Sequence, residues 1–379
     1  MIESDLPLDG PSALEMASIV DGELLALHDV DWHVQEWRVQ FLNQDDTDPR
    51  SGTWNPGVTA QAAHATTVNP AVVAYIGDWD SGATATSLQV TNATGTLQVS
   101  PWSPYVGFTD PSPADDKGDP GRFQSNGQST FARLVPSDAV QARACVSLMR
   151  RLGVSRLYVL GDVSDPFDAD IAQLVANDAP KAGIYVVGDQ AIDTGTNTQP
   201  AGYAAYATAA AQQRADAVLF AGAPSAGAGA LLSELHGLLT HAKLFLPSTL
   251  ATPDFLAGLG TAASATYVTS PILELRQYPN VGRRILAAYR RRFGVAPTAY
   301  ALYGYEAMRD VLKAIRAAGH SAGNRASLLY HFFHLGPVHG AIGDYTINVR
   351  GDSSLHTLDG YRVSASGALI DPQPITVGP

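Results

Sequence analysis

The sequence predicts an α/β protein of doubly wound, mostly parallel sheets, and three observations lead there. Short apolar runs recur along the chain and alternate with stretches of helical period. At 379 residues the chain exceeds the size at which one core usually splits, so two domains are expected. Hydrophobic residues make up 45% and charged residues 16%, the balance of a packed protein rather than a disordered one.

Residues 72–77, 96–100, 157–161, 184–188, 217–222 and 244–247 read as buried strands of parallel type. Between them, 139–152, 168–178 and 228–239 carry helical periodicity, and the Ala-rich 203–215 reads as a further helix. Strand–helix–strand alternation implies right-handed crossovers, hence doubly wound sheets. Two long helices are expected over 282–293 and 301–318, the second stopped by Gly319. The tail from Gly343 looks β-like and turn-rich. The Pro/Gly/Asp-rich stretch 110–127 has no periodicity and reads as a surface excursion or a loop at a lobe edge.

Net charge narrows the partners. A formal charge of −12 repels phosphate backbones, and the short Arg290–Arg292 run suits the solvated last turn of a helix. Nucleic acid is not an expected partner. The single cysteine, Cys145, lies on an apolar stripe with Leu148, Met149 and Leu152, as a buried structural thiol would. No run reaches the ~20 apolar residues of a membrane span. No signal peptide or lipid-attachment cysteine precedes Ile2, so export would require this to be a mature chain with Met1 added.

Several motifs fail on their context. Gly319-His320-Ser321-Ala322-Gly323 fits a nucleophile elbow, but that chemistry needs a strand running into the serine, and here a helix precedes it. His331, His334 and His339 lack the spacing and companions of a metal shell. The glycines of 222–229 lack the Lys-Ser/Thr of a phosphate loop. Asp45-Asp46 ends a strand-like segment, 38–42, in a loop, and its spacing offers no further oxygen ligands for a metal. Neither an enzymatic activity nor a cofactor is expected.

One segment survives. Residues 76–84 run from a buried strand into a helix, with Ser81 placed to cap it and Gly82 and Ala83 leaving the first N–H groups sterically open. A helix start at the carboxyl end of a parallel strand suits an anion. A second strand end, Ser100-Pro101-Trp102-Ser103-Pro104-Tyr105, should lie beside it. Trp79, Trp102 and Tyr105 could then wall an apolar or aromatic ligand, in the crevice where open α/β sheets bind. Asp78 and Asp80 flank Ser81, and at least one must point away if a carboxylate binds there.

At these residues the chain resembles the branched-chain amino-acid (leucine/isoleucine/valine) binding proteins of ABC transporters. The resemblance rests on Pro7-Leu8-Asp9-Gly10-Pro11, Tyr75-Ile76-Gly77 through Ser81-Gly82-Ala83-Thr84, and Val99-Ser100-Pro101. Phe131-Ala132-Arg133 with Pro136-Ser137-Asp138, and Tyr303-Gly304-Tyr305-Glu306-Ala307-Met308, continue it over essentially the whole chain. It implies a type I periplasmic-binding fold of the Venus-flytrap kind: two Rossmann-like lobes, 1–135 with 270–347 and 136–269 with 348–379, joined by crossovers near Val135, Ser270 and Asn348.

The resemblance also implies roles. The serine matching Ser81 and nearby N–H groups hold the ligand carboxylate, and a carbonyl matching Trp102 helps hold the α-amino group. Other customary contacts differ. A threonine falls at Pro104, a tyrosine at Ala223, the acid that pairs with the ammonium at Ser248, and a covering aromatic at Glu15. Phe167 is the nearest aromatic to a further expected tyrosine. An ammonium buried without a counter-charge costs several kcal/mol, against about 8 kcal/mol for a whole micromolar site. Either Glu15, Asp78 or Asp80 supplies that charge, or the ligand is an aromatic or other acid without an amino group. The implied protein is a monomeric, exported solute-binding protein, periplasmic or extracellular, serving ABC-transporter membrane subunits. A ligand sensor of the same fold is the alternative.

Overall fold

The computed structural model describes residues 1–112, 118–195 and 200–378. In chain order, β1 (Ile2–Leu6), α1 (Ala13–His28), β2 (Phe41–Asp45), α2 (Pro56–Val68), β3 (Ala74–Ile76), α3 (Ser81–Ala93), β4 (Leu97–Ser100) and β5 (Phe131–Arg133) form a first series. A second follows: α4 (Asp138–Arg151), β6 (Arg156–Asp162), α5 (Pro166–Asp178), β7 (Tyr185–Ile192), α6 (Pro200–Gln212), β8 (Ala217–Ala221), α7 (Ala226–Leu238), β9 (Lys243–Leu246) and β10 (Thr266–Ser270). Then come α8 (Asn280–Phe293), α9 (Tyr300–Ala318), α10 (Arg325–Phe333) and a hairpin, β11 (Thr357–Val363) with β12 (Leu369–Thr376).

The chain divides into two compact units, Met1–Ser137 with Glu274–Leu355 and Asp138–Leu273 with His356–Pro379. Asn348 thus lies inside unit 1 and Ser270 inside unit 2. The sheet of unit 1 runs β2-β1-β3-β4-β5, all parallel. That of unit 2 runs β12-β11-β10-β9-β8-β6-β7, parallel from β10 to β7 and antiparallel at the hairpin. Counting only parallel strands in chain order, both sheets read second-first-third-fourth-fifth. In this topology the strand order reverses between the first and third strands, and ligands bind outside their carboxyl ends.

Packing differs between the units. In unit 2 the strands alternate cleanly. Tyr158, Leu160, Val218, Phe220, Leu244 and Leu246 meet α6 and α7, while Leu157, Val159, Leu219 and Phe245 meet α4 and α5. In unit 1 one face of β1 presents Leu6 to Met16 and Ile19 of α1. The other face of that sheet is polar. Thr66 of α2 donates to Glu3, Thr59 of α2 to Asp46 at 2.7 Å, and Thr91 of α3 to Gln98 at 2.5 Å.

Two expectations are corrected here. The strand anticipated at 38–42 is displaced to Phe41–Asp45, where it pairs residue for residue with Ile2–Leu6; Trp37–Arg38 form a short ladder with His33–Val34 instead. Of the anticipated excursion at 110–127, residues 113–117 lie outside the described residues, and Phe123 is buried rather than at the surface, packed on Phe108.

Candidate functional site

The loops after β3 and β4 form one clasp, held by small hydroxyls. Ser100 Oγ donates to the Asp78 carbonyl at 2.7 Å and accepts the Trp102 N–H at 3.1 Å. Ser103 Oγ donates to the same carbonyl at 3.0 Å, and its N–H reaches the Trp79 carbonyl at 3.3 Å. Fully buried Arg133 ties this clasp to the sheet. Its guanidinium donates to the carbonyls of Ser103 (3.1 Å) and Tyr105 (2.6 Å) while pairing with Asp352 at 2.9 Å.

Helix α3 starts in the middle of the clasp. Asp80, not Ser81, has the extended backbone of the N-cap, and among the described residues its side chain makes no capping hydrogen bond. The expectation that Ser81 caps its own helix is therefore corrected. Ser81 is the first helical residue, and its Oγ accepts the Tyr105 N–H at 3.3 Å, joining the two loops. The first intrahelical bond is Thr84 N–H to the Asp80 carbonyl, so the amides of Ser81, Gly82 and Ala83 belong to the turn that a helix leaves without backbone acceptors. Trp54 lies over this turn. A Cβ at Gly82 would stand 2.4 Å from its ring, so only glycine fits beneath it.

Beside the helix start stands an aromatic wall. Trp79 and Trp102 stack with centroids 4.8 Å apart and planes 14° from parallel, and Tyr300 at the head of α9 meets both edge-on at 5.0 and 5.2 Å. Because the indoles stack on each other, they form one block rather than jaws, with Trp102 buried and Trp79 half-buried. Glycines bring α9 close to α1: a Cβ at Gly304 would lie 2.1 Å from the Ile19 carbonyl. This contact sets Tyr300 near Glu15 in the first turn of α1. Burial raises the Tyr300 phenol pKa well above its usual range, with the Glu15 charge next in effect.

The remaining expected residues are placed as follows. Pro104 is buried in the second loop. Tyr105 turns inward, its hydroxyl donating to Asp119 at 2.6 Å and its ring against Phe108. In unit 2, Phe167 sits in the first turn of α5 after β6, Ala223 follows β8, and Ser248 follows β9, so all three mark carboxyl ends of neighbouring parallel strands. Ser248 donates its hydroxyl to Gln141 at 2.9 Å. Sequence reading missed Trp54, Arg133 and Tyr300 as parts of the site. No local signal marks them, because their contacts join segments far apart in the chain.

Asp78 points away from the helix start into the polar layer. Its carboxylate accepts from Tyr75 at 2.6 Å, from Gln98 at 3.3 Å and from Ser87. Burial, with the Asp46 charge adding to it, raises its pKa. Asp5, with Oδ2 3.1 Å from the same Tyr75 hydroxyl, has its pKa raised by burial and then by Asp78 and Asp46. Burial lifts Asp46 to about 6. Asp45 closes β2, and Asp46 beyond it is fully buried rather than in an open loop.

The set-aside motifs have ordinary partners. Ser321 donates to the Ala318 carbonyl at 2.8 Å and shares a hydrogen bond with Ser327. His334 stacks on Tyr330, and His339 bonds Asp344 at 2.9 Å. Among the described residues, no helix is long and apolar enough to cross a membrane.

A family described as periplasmic binding protein matches residues 6–362. Among solved structures, a leucine binding protein of Thermotoga maritima is 19% identical, with a TM-score of 0.78 over 99% of this chain and 98% of its own. A substrate-binding protein of an ABC transporter from Desulfitobacterium hafniense, in complex with Leu, is 18% identical, with a TM-score of 0.76 over 98% and 99%. A solute binding protein of an ABC transporter from R. palustris, in complex with benzoate, is 13% identical, with a TM-score of 0.72 over 99% and 97%. At such identities the likeness establishes the fold, the type I periplasmic-binding architecture. No curated protein matches the sequence.

Proposed function

We propose, from the premise that the chain belongs to the periplasmic binding protein family, that it is an exported solute-binding protein delivering a small carboxylate to an ABC importer. The carboxylate would sit on the amides of Ser81–Ala83 and the Ser81 hydroxyl, with its apolar or aromatic body against Trp79 and Trp102. The observation that supports this most is the uncapped start of α3 beside a stacked indole pair, at the carboxyl end of the strand where the sheet order reverses. Inward-turned Asp78 removes one of the two negative charges that would oppose the ligand.

Phe167, Ala223 and Ser248, at strand ends of unit 2, are taken as solute contacts of that unit, and the Trp102 carbonyl in unit 1 as acceptor for an amino group where there is one. With Asp78 turned inward, Glu15 or Asp80 is the acid available to such an ammonium. No chemical step is assigned to the protein, which would act as a monomer presenting its ligand to the membrane subunits.

Thermal-shift screening of amino acids and aromatic acids identifies the ligand, since a molecule bound only by the native state must raise the melting temperature. Calorimetry with the best of these then tests Ser81→Ala. Losing a hydrogen bond to a charged group, about 1.5–3 kcal/mol, should weaken binding at least tenfold with little loss of fold. Unchanged affinity would remove Ser81 from the site.

A further inference from the structure

We propose that Asp5, Asp46 and Asp78 bind a hard divalent cation of the Ca²⁺ or Mg²⁺ class, in the polar layer beneath the Trp79–Ser81 loop. Each offers a carboxylate oxygen, and these oxygens lie within 4.8 Å of one another. A cation with oxygen ligands at about 2.3–2.6 Å spans ligand atoms up to about 5 Å apart, so one ion can touch all three. The residues come from the second half of β1, the position after β2, and the loop after β3, which are adjacent strands of one sheet. That convergence is why the Asp45-Asp46 spacing alone shows no further ligands.

A cluster of acids is not in itself a site, and the second observation is one of missing partners. Asp5 and Asp46 are 0% exposed, yet Oδ1 of each has no hydrogen-bond partner. The donors that reach the trio are neutral: Tyr75 between Asp5 and Asp78, Thr59 on Asp46, and Ser87 and Gln98 on Asp78. Among the described residues no lysine, arginine or histidine pairs with any of the three. Buried carboxylates this close require either protons or a cation to offset them. Tyr75 can give its single proton to one acid at a time. An all-oxygen donor set without sulfur or imidazole selects hard ions over zinc or copper.

The ion would lie on the sheet side of the loop, while Asp78 joins it to the residues that start α3. Its presence does not depend on which solute binds, so the two proposals fail separately.

The test uses the full chain without solute. After EDTA treatment and dialysis, melting temperature is measured alone and with millimolar CaCl₂, MgCl₂ or MnCl₂, and bound metal is counted by equilibrium dialysis and elemental analysis. One ion per chain and a rise of about 5 °C or more are expected for at least one metal. Asp46→Asn should weaken that metal at least tenfold, whereas Ser81→Ala should leave the metal response intact. Wild-type protein that binds no metal at millimolar concentration, with the same melting temperature in EDTA, overturns the proposal and leaves the trio sharing protons. If Asp46→Asn does not fold, the wild-type stoichiometry together with Thr59→Val, which frees one Asp46 oxygen, still decides it. Metal bound equally by wild type and Thr59→Val but without any thermal shift would place the ion elsewhere and also overturn it.

Discussion

The two units share one strand order but bury different chemistry behind it. In unit 2 both faces of the sheet are apolar, and the buried acid at a strand end, Asp162, is met by the N–H and hydroxyl of Ser164 and of Thr194. In unit 1 the face toward α2 and α3 is a layer of carboxylates, hydroxyls and an amide, and some of those carboxylate oxygens meet no donor. One topology is thus held by two kinds of core. An apolar core supplies stability that is insensitive to its neighbours' protonation. A polar one positions loops with directional bonds, and its stability depends on pH or on ions.

The largest effect is expected on removing the buried guanidinium of Arg133 from unit 1. Arg133→Met takes the guanidinium from Asp352, which keeps the Thr109 hydroxyl, and releases the carbonyls of Ser103 and Tyr105. Breaking a buried pair costs about 3–5 kcal/mol, and the clasp that carries Trp102 and Ser81's partner amide goes with it. Stability and solute affinity should fall together, affinity at least tenfold. Leu219→Ala in the apolar core of unit 2 should cost about 2–5 kcal/mol with affinity unchanged. Equal affinity losses in the two variants, read by calorimetry below their melting temperatures, would show that the polar layer has no special hold on the site.

The same contrast explains what could be read from the sequence. The strands at β6, β8 and β9 are uninterrupted apolar runs because helices cover both faces. β1 escaped notice because Glu3 and Asp5 give it the look of an exposed loop, although both are buried. The turn at Trp79-Asp80-Ser81 was legible as a helix start but not which residue caps it, since Asp and Ser are both good caps. Only the fold shows the Ser81 oxygen turned to the Tyr105 amide. The wall was half visible: Trp79 and Trp102 lie at adjacent strand ends, whereas Tyr300 reaches them through packing of α9 on α1, a contact across more than two hundred residues.

A gentler perturbation uses Glu23, buried in α1 on the other face of β1. Its carboxyl takes one hydrogen bond, from Ser4 at 3.1 Å, and its second oxygen takes none. Burial raises its pKa well above 4.5, outweighing that hydrogen bond. The folded pKa therefore exceeds the unfolded one. Its contribution is fully present below pH 4.5 and is lost as pH rises toward the raised value, with a slope of at most about 1.4 kcal/mol per pH unit for one proton. Glu23→Gln, which needs no proton, should match wild type near pH 4.5 and be the more stable of the two at pH 8 by denaturant titration. A constant difference between them from pH 5 to 8 would mean that Glu23 is charged in the native state.

The smallest effect is expected in unit 2, where the fold should be indifferent and only ligand choice should respond. Ala223 is half-buried at the end of β8, beside Gly222, whose own Cβ would meet Asp162 at 2.5 Å. The strand end is thus crowded at Gly222, whereas Ala223 is partly exposed. Ala223→Tyr should change stability by less than about 1 kcal/mol, as substitutions at half-exposed positions generally do. On the reading that this strand end faces the solute, it should also narrow the panel of acids that raise the melting temperature, with bulky aromatic acids losing most. An unchanged order of preference would take Ala223 out of the site, and the recognition of the solute would then rest on unit 1 with its stacked indoles and the start of α3.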